Sequence, residues 1–168
     1  MTLLRVSSQQ NMKEKLKEIR KRLRNDYFFS CIDPHLDMVL DYHKTDTLYF
    51  LFPLIERLML EILLLDYNTD IEVSNQGTYR PLSQILKDEN AQQVLQQIIG
   101  EKNTHKLESW FCDNEGMRNI VMKKLVTIKD VESIHDVKKV CIELLQAYAD
   151  NIEDLKKFDS EHEIEPVQ

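Results

Sequence analysis

The chain is 168 residues long, with 42% hydrophobic and 30% charged residues, and 22 Lys and Arg against 29 Asp and Glu leave a net charge of -7. That length can bury a core without disulfide or metal staples, and the acidic balance argues against a general nucleic-acid coat, which needs a concentrated basic face. With 3 Gly and 4 Pro there is little turn material for many short strands, which points to helices.

Asn11 to Arg24 reads as an amphipathic helix in which Met12, Leu16, Ile19 and Leu23 recur at spacings of four and three. Lys13, Lys15, Lys17, Arg20, Lys21, Arg22 and Arg24 form the one basic cluster, read here as a solvated helix face rather than a contact for RNA or acidic lipid. Tyr27 to Ile32 is a short aromatic stretch, and Asp33-Pro34 predicts the start of a short helix over His35 to Tyr42. His35, Asp37, Asp41 and His43 are metal-ligating residue types, but their spacing does not place them on one helical face, so no metal site is read there.

Thr45 or Asp46 can cap the next helix, from Thr47 to Asp66, which is apolar nearly all round. Pro53 falls inside it, and Glu56, Arg57 and Glu61 are the charges in its apolar run; Glu61 lies four after Arg57 and can pair with it. A helix this apolar belongs at the centre of a bundle or in a subunit interface, and the reading takes a second copy as its cover. Asn68 to Tyr79 is polar and reads as a loop. Pro81 opens a short stripe of Leu82, Ile85 and Leu86, which stops at Asp88-Glu89-Asn90. Ala91 to Ile99 follows with Val94, Leu95, Ile98 and Ile99 inward and Gly100 as terminator.

Asn103 or Thr104 is the expected cap of a helix through Leu107, Trp110 and Phe111. A turn from Asp113 to Gly116 then leads into a helix from Met117 to Val126. Ser133 and Asp136 resemble a capping box opening the last helix, Ile134 to Phe158, along which Val137, Val140, Cys141, Leu144, Leu145, Tyr148, Ile152 and Leu155 keep a three-four rhythm. The expected organisation is one all-α domain over residues 1–158, an up-and-down bundle of about six helices, with 159–168 as an acidic, fraying tail.

Cys31, Cys112 and Cys141 are odd in number and form no CxxC pair, so they imply reduced thiols in a cytoplasmic protein rather than a disulfide framework or zinc ribbon. The first residues lack the apolar core of a signal peptide, and the most apolar run, Leu58 to Leu65, is interrupted by Glu61, so no membrane span is expected. No phosphate-binding Gly loop, nucleophile elbow or dinucleotide fingerprint is present, and no cofactor is expected. The best polar site candidates are Arg118 and Asn119, which open a helix where unpaired N–H groups and the dipole favour an anion. The plainer role for Arg118 is an ion pair with Asp113 or Glu115 that ties down the turn.

Three segments together resemble the HEPN superfamily (higher-eukaryote and prokaryote nucleotide-binding domains). They are Leu51-Phe52-Pro53-Leu54-Ile55-Glu56-Arg57, Tyr79-Arg80-Pro81-Leu82-Ser83-Gln84-Ile85-Leu86, and Gly116-Met117-Arg118-Asn119. The resemblance covers Asp46 to Leu125. It implies a helical fold that pairs into homodimers and, in active members, a metal-independent RNase with an Arg-x4-6-His motif. There the arginine holds the scissile phosphate and the histidine moves protons. In this chain Arg118 and Asn119 match, but the histidine window holds Lys123, Lys124 and Leu125, and the next histidine is His135. Lysine keeps the charge but shuttles protons poorly at its ordinary pKa, so Arg118, Asn119 and Lys123 are read as candidate anion or RNA contacts, with no catalytic residue assigned.

As a degenerate member of that kind, the chain is expected to be a non-catalytic protein-interaction module, in a bacterial stress or phage-defence setting. The alternatives are an RNase with an atypical site at Arg118 and Asn119, and an acidic antitoxin or immunity protein masking a basic partner.

Overall fold

The computed structural model describes the backbone of residues 2–41, 46–64, 82–112, 116–118, 121 and 131–161, and the side chains of 10–37, 47–63, 83–112, 116–118, 121 and 134–153. Among these residues the chain forms helices and no strand: α1 (Thr2–Arg22), α2 (Tyr27–Asp41), α3 (Asp46–Leu64), α4 (Leu82–Ile85), α5 (Glu89–Ile99), α6 (Glu101–Phe111) and α7 (Val131–Glu161). The protein is an all-α helical bundle.

Side-chain contacts settle how the helices run. Arg20 near the end of α1 reaches Asp33 and Asp37 of α2, so the two are antiparallel across the short turn at 23–26. Phe28 of α2 lies under Arg57 of α3, and His35 lies against Phe50, so α2 and α3 are antiparallel as well. Arg22 reaches Asp150 and Glu153, while Asn11, Met12 and Lys15 lie beside Lys139, Ile142 and Glu143, so α1 and α7 run side by side in the same direction. Lys106 meets Asp136 and Asn103 meets Glu143, which turns α6 against α7. The long helices α3 and α7 form the axis of the core.

The apolar stripe of α1 is buried as its spacing predicts: Met12, Leu16, Ile19 and Leu23 all lie in the core. The helix starts earlier than the stripe, at Thr2, because no Gly or Pro interrupts residues 2–22. Its basic face divides. Arg20 and Arg22 are drawn into ion pairs with neighbouring helices, while Lys15, Lys17 and Lys21 remain exposed.

The segment after α1 departs from the reading. Instead of an aromatic stretch and a short helix opening at Asp33-Pro34, a single α2 runs through Pro34. Its cap is Asp26, whose Oδ2 accepts the Phe29 N–H at 2.9 Å. Phe29 and Leu36, two turns apart on either side of Pro34, are both buried in the same core, which offsets the backbone bond that proline deletes.

On α3, Leu48, Leu51, Phe52, Ile55, Leu58, Met59, Ile62 and Leu63 are fully covered by helices of the same chain, and Tyr49, Phe50 and Leu60 pack half-buried at its edges. The described apolar residues of α3 are therefore covered largely within one chain. The Arg57–Glu61 pair forms as its spacing predicts, at 2.5 Å.

Around α5 the punctuation residues act as read. Asp88 accepts the Asn90 N–H at 2.9 Å, and Gly100 closes the helix at φ +87° with its N–H on the Gln96 carbonyl. The expected caps of α6 are displaced, because Gly100 itself serves both helices. Thr104 Oγ1 and Asn103 Nδ2 donate back to the carbonyls of Gly100 and Ile99, both at 2.9 Å, so neither caps the helix.

The capping box at Ser133 is likewise not the start of α7, which is already helical at Val131; Asp136 serves Lys106 instead. The helix continues to Glu161, three residues into the expected tail. The predicted loop at 68–79, the turn residues 113–115, the possible cap Thr45, the side chain of Leu155 and the rest of the tail lie outside the described residues. Of the predicted helix 117–126, Met117, Arg118 and Val121 are described, and they are helical.

Candidate functional site

The three segments that carry the family resemblance meet at the C-terminal end of α6. On α3, Phe52 stacks edge-on against Phe111, the last residue of α6, with ring centroids 5.7 Å apart. One turn further along α3, Glu56 Oε1 lies 3.2 Å from Arg118 Nε. From the other side, the Cys112 thiol points to the Ser83 carbonyl of α4 at 3.7 Å, and Ile85 and Leu86 are buried behind it. Two successive rungs on one face of α3, an aromatic pair and an ion pair, thus hold Phe111 and Arg118.

The structure therefore gives Arg118 a carboxylate partner on another helix, whereas Asp113 and Glu115 lie outside the described residues. Both side chains of the pair are 28% exposed, so the pair sits at the rim of the core. Burial raises the Glu56 carboxyl above its usual 4.5, and the charge of Arg118 opposes that rise only in part. Folded Glu56 thus holds its proton more tightly than the unfolded chain does. Its effect on stability follows from linkage: as pH rises from the ordinary carboxylate value through the raised one, the folded state loses stability at this site. Thermal melts of Glu56→Gln between pH 4 and 7 should lack that downward component; an unchanged pH slope would place the carboxyl in ordinary solvent.

Asn119 and Lys123, the other two candidates, lie outside the described residues. His105 is exposed on α6, with Nε2 3.6 Å from Glu101 and Nδ1 3.7 Å from Glu108, carboxylates of its own helix. Of the residues considered as metal ligands, His35 lies against Phe50 and Asp37 serves Arg20, while His43 lies outside the described residues. Among the described residues no cluster of three or more His, Cys, Asp or Glu side chains could hold a metal ion. The cysteines differ sharply: Cys31 is exposed, Cys112 is half-buried, and burial pushes the thiol of Cys141 up to about 12. No helix among the described residues is long and apolar enough to cross a membrane.

One polar residue was passed over in the sequence. Lys138, on α7, is 1% exposed and sits one turn from each of the buried Ile134 and Ile142. The helical rhythm traced through Val137 and Cys141 skips it. The signal was the second stripe, Ile134, Lys138 and Ile142, which makes α7 buried over most of its circumference.

No family model, no curated protein and no solved structure matches this chain.

Proposed function

We propose that this chain is a non-catalytic helical protein-interaction module of the HEPN-like type, cytoplasmic and acting as a homodimer. The ion pair between Arg118 and Glu56 carries the reading. In a nuclease of this pattern the arginine must offer its charge to a phosphate, whereas here its Nε is directed at a carboxylate of α3. The histidine that would move protons is replaced in its window by Lys123, Lys124 and Leu125. Arg118 is then a brace for the segment after α6.

The face assigned to the partner is the outer stripe of α2, where Tyr27, Ser30, Cys31 and Pro34 are exposed and none carries a formal charge. Tyr27 is 85% exposed. Two copies that each carry a net charge of -7 avoid direct like-charge contacts where they meet on an uncharged surface, and interface centres are depleted of charge and rich in tyrosine. A second copy is accordingly the occupant.

Light scattering and a metal-free RNA cleavage assay on the same preparation test both halves. The wild type should run as a dimer and leave single-stranded RNA intact, and Tyr27→Asp should yield folded monomers. Cleavage that Arg118→Ala abolishes without unfolding the protein would replace this reading with the nuclease one. A monomeric wild type would remove the homodimer.

A further inference from the structure

The outer stripe of α2 carries a pair of metal-ligating side chains. Cys31 and His35 are four residues apart on one helix, so they lie one turn apart on the same face, with Cβ atoms about 5–6 Å from each other. Both are exposed, one and two turns along from Tyr27. The His35 ring lies against Phe50 with centroids 5.5 Å apart. Among the described residues no hydrogen bond or ion pair engages the Cys31 thiol or either nitrogen of His35. His105 differs in this respect, because its two nitrogens face Glu101 and Glu108 of its own helix.

A thiolate and an imidazole one turn apart supply half of a tetrahedral zinc site, which takes four such ligands. One copy of the chain stops at two. Among the described residues no group of three His, Cys, Asp or Glu side chains could hold a metal ion, and the acids beside the pair on α2, Asp33 and Asp37, both serve Arg20. A two-fold axis through the stripe supplies the other half, because an isologous contact brings in each residue of the face twice. We propose that the homodimer binds one zinc ion on its two-fold axis, ligated by Cys31 and His35 of each copy. The inference rests on the homodimer reading of this face and names what tightens it.

Charge and size both fit. Each thiol gives up its proton on binding, and the two thiolates offset the two charges of the ion. Two neutral imidazoles complete the shell, so the filled site adds no net charge to a stripe whose exposed Tyr27, Ser30, Cys31 and Pro34 carry none. The stripe from Tyr27 to His35 is about 12 Å of one helix, at 1.5 Å per residue. A strip that short buries well under the roughly 800 Å² per partner of a standard interface. An ion that binds the dimer with four ligands and the single chain with two offsets that deficit by mass action.

The test follows dimerisation of the full chain by sedimentation equilibrium with a reductant present, first in EDTA and then, after its removal, with zinc chloride. Zinc should bind at one ion per two chains and lower the dimer dissociation constant at least about tenfold. Cobalt(II) in its place should give the visible bands of a tetrahedral site with thiolate ligands. Cys31→Ser and His35→Gln should each abolish the zinc effect and the cobalt bands, and should then match the wild type in EDTA. His105→Gln, on another helix, should change neither. Both ligand positions are exposed, and circular dichroism melts confirm that the variants fold. A dimer that forms only with zinc supports the site and makes the ion its main bond. A dimer whose affinity zinc leaves unchanged overturns the site while the homodimer stands, and a chain that stays monomeric with and without zinc overturns both. Zinc-tightened dimers that survive either substitution place the ion elsewhere and overturn the proposal as well.

Discussion

Phe52→Ala should lower the unfolding free energy by about 3–5 kcal/mol, the usual cost of deleting a buried phenylalanine ring. Phe52 is 0% exposed in the middle of α3, so the cavity has no direct route to solvent. Its ring meets Phe111 edge-on at an interplanar angle of 87°, and such pairs add about 0.5–1.5 kcal/mol beyond the area they bury. For a chain of this size the melting temperature should fall by roughly 2–4 °C per kcal/mol, or about 6–20 °C in all. Phe52→Leu keeps most of the volume and should recover most of the loss. The consequence extends to the site, because Phe111 ends α6 and Glu56 lies one turn along α3 from Phe52. Loosening the aromatic rung should therefore loosen the ion-pair rung, so the coupling between Glu56→Gln and Arg118→Ala, measured by a double-mutant cycle, should shrink in the Phe52→Ala background. An undiminished coupling would mean that the two rungs hold the segment independently.

Much of the fold is legible in the sequence wherever one helix face decides the matter. The stripe of Met12, Leu16, Ile19 and Leu23 and the rhythm from Val137 to Tyr148 map directly onto buried faces. Asp88 and Gly100 bound α5 through local chemistry that a sequence displays. Boundaries fail where tertiary burial outweighs the local signal. Pro34 suggests a helix start, yet Phe29 and Leu36 are both claimed by the core, so α2 runs through it. Ser133 and Asp136 satisfy a capping pattern that α7, already helical at Val131, does not use.

The site is less legible, for a different reason. Periodicity places a residue on a face but does not say which faces of distant helices meet. Arg118 could be seen as a charge at a helix start, and neighbouring carboxylates in the chain were the natural partners to consider. Glu56, far away in the sequence, becomes its partner only once the stacked Phe52 and Phe111 bring α3 to the end of α6. Lys138 was missed because a lysine between Val137 and Lys139 looks like one more surface charge, and only the crowding around α7 buries it.

Asp26→Ala should cost about 3 kcal/mol, because one carboxylate serves two donors. Oδ2 accepts the Phe29 N–H at 2.9 Å, capping α2, and the Tyr148 hydroxyl at 3.0 Å, fastening the α1–α2 turn to α7. Loss of a cap costs about 1 kcal/mol, and loss of a hydrogen bond to a charged group about 1.5–3 kcal/mol. Tyr148 is 3% exposed, so its hydroxyl is left buried without this acceptor. Tyr148→Phe removes the donor while the cap survives, and should cost about half as much. The double variant should cost less than the sum of the two single ones, since no stranded hydroxyl remains. Strict additivity in urea unfolding would mean that the phenol and the carboxylate do not act together. A pH series gives an independent check. Burial first, and the bond to Asp26 second, raise the Tyr148 phenol above its usual 10.0. The folded state therefore binds that proton more tightly than the unfolded chain, and the contribution, complete below the ordinary value, is lost as pH climbs toward the raised one. The stability gap between wild type and Tyr148→Phe should stay flat through neutral pH and narrow only in the alkaline range. A gap that stays constant through the alkaline range would mean that ionising the phenol does not break the contact.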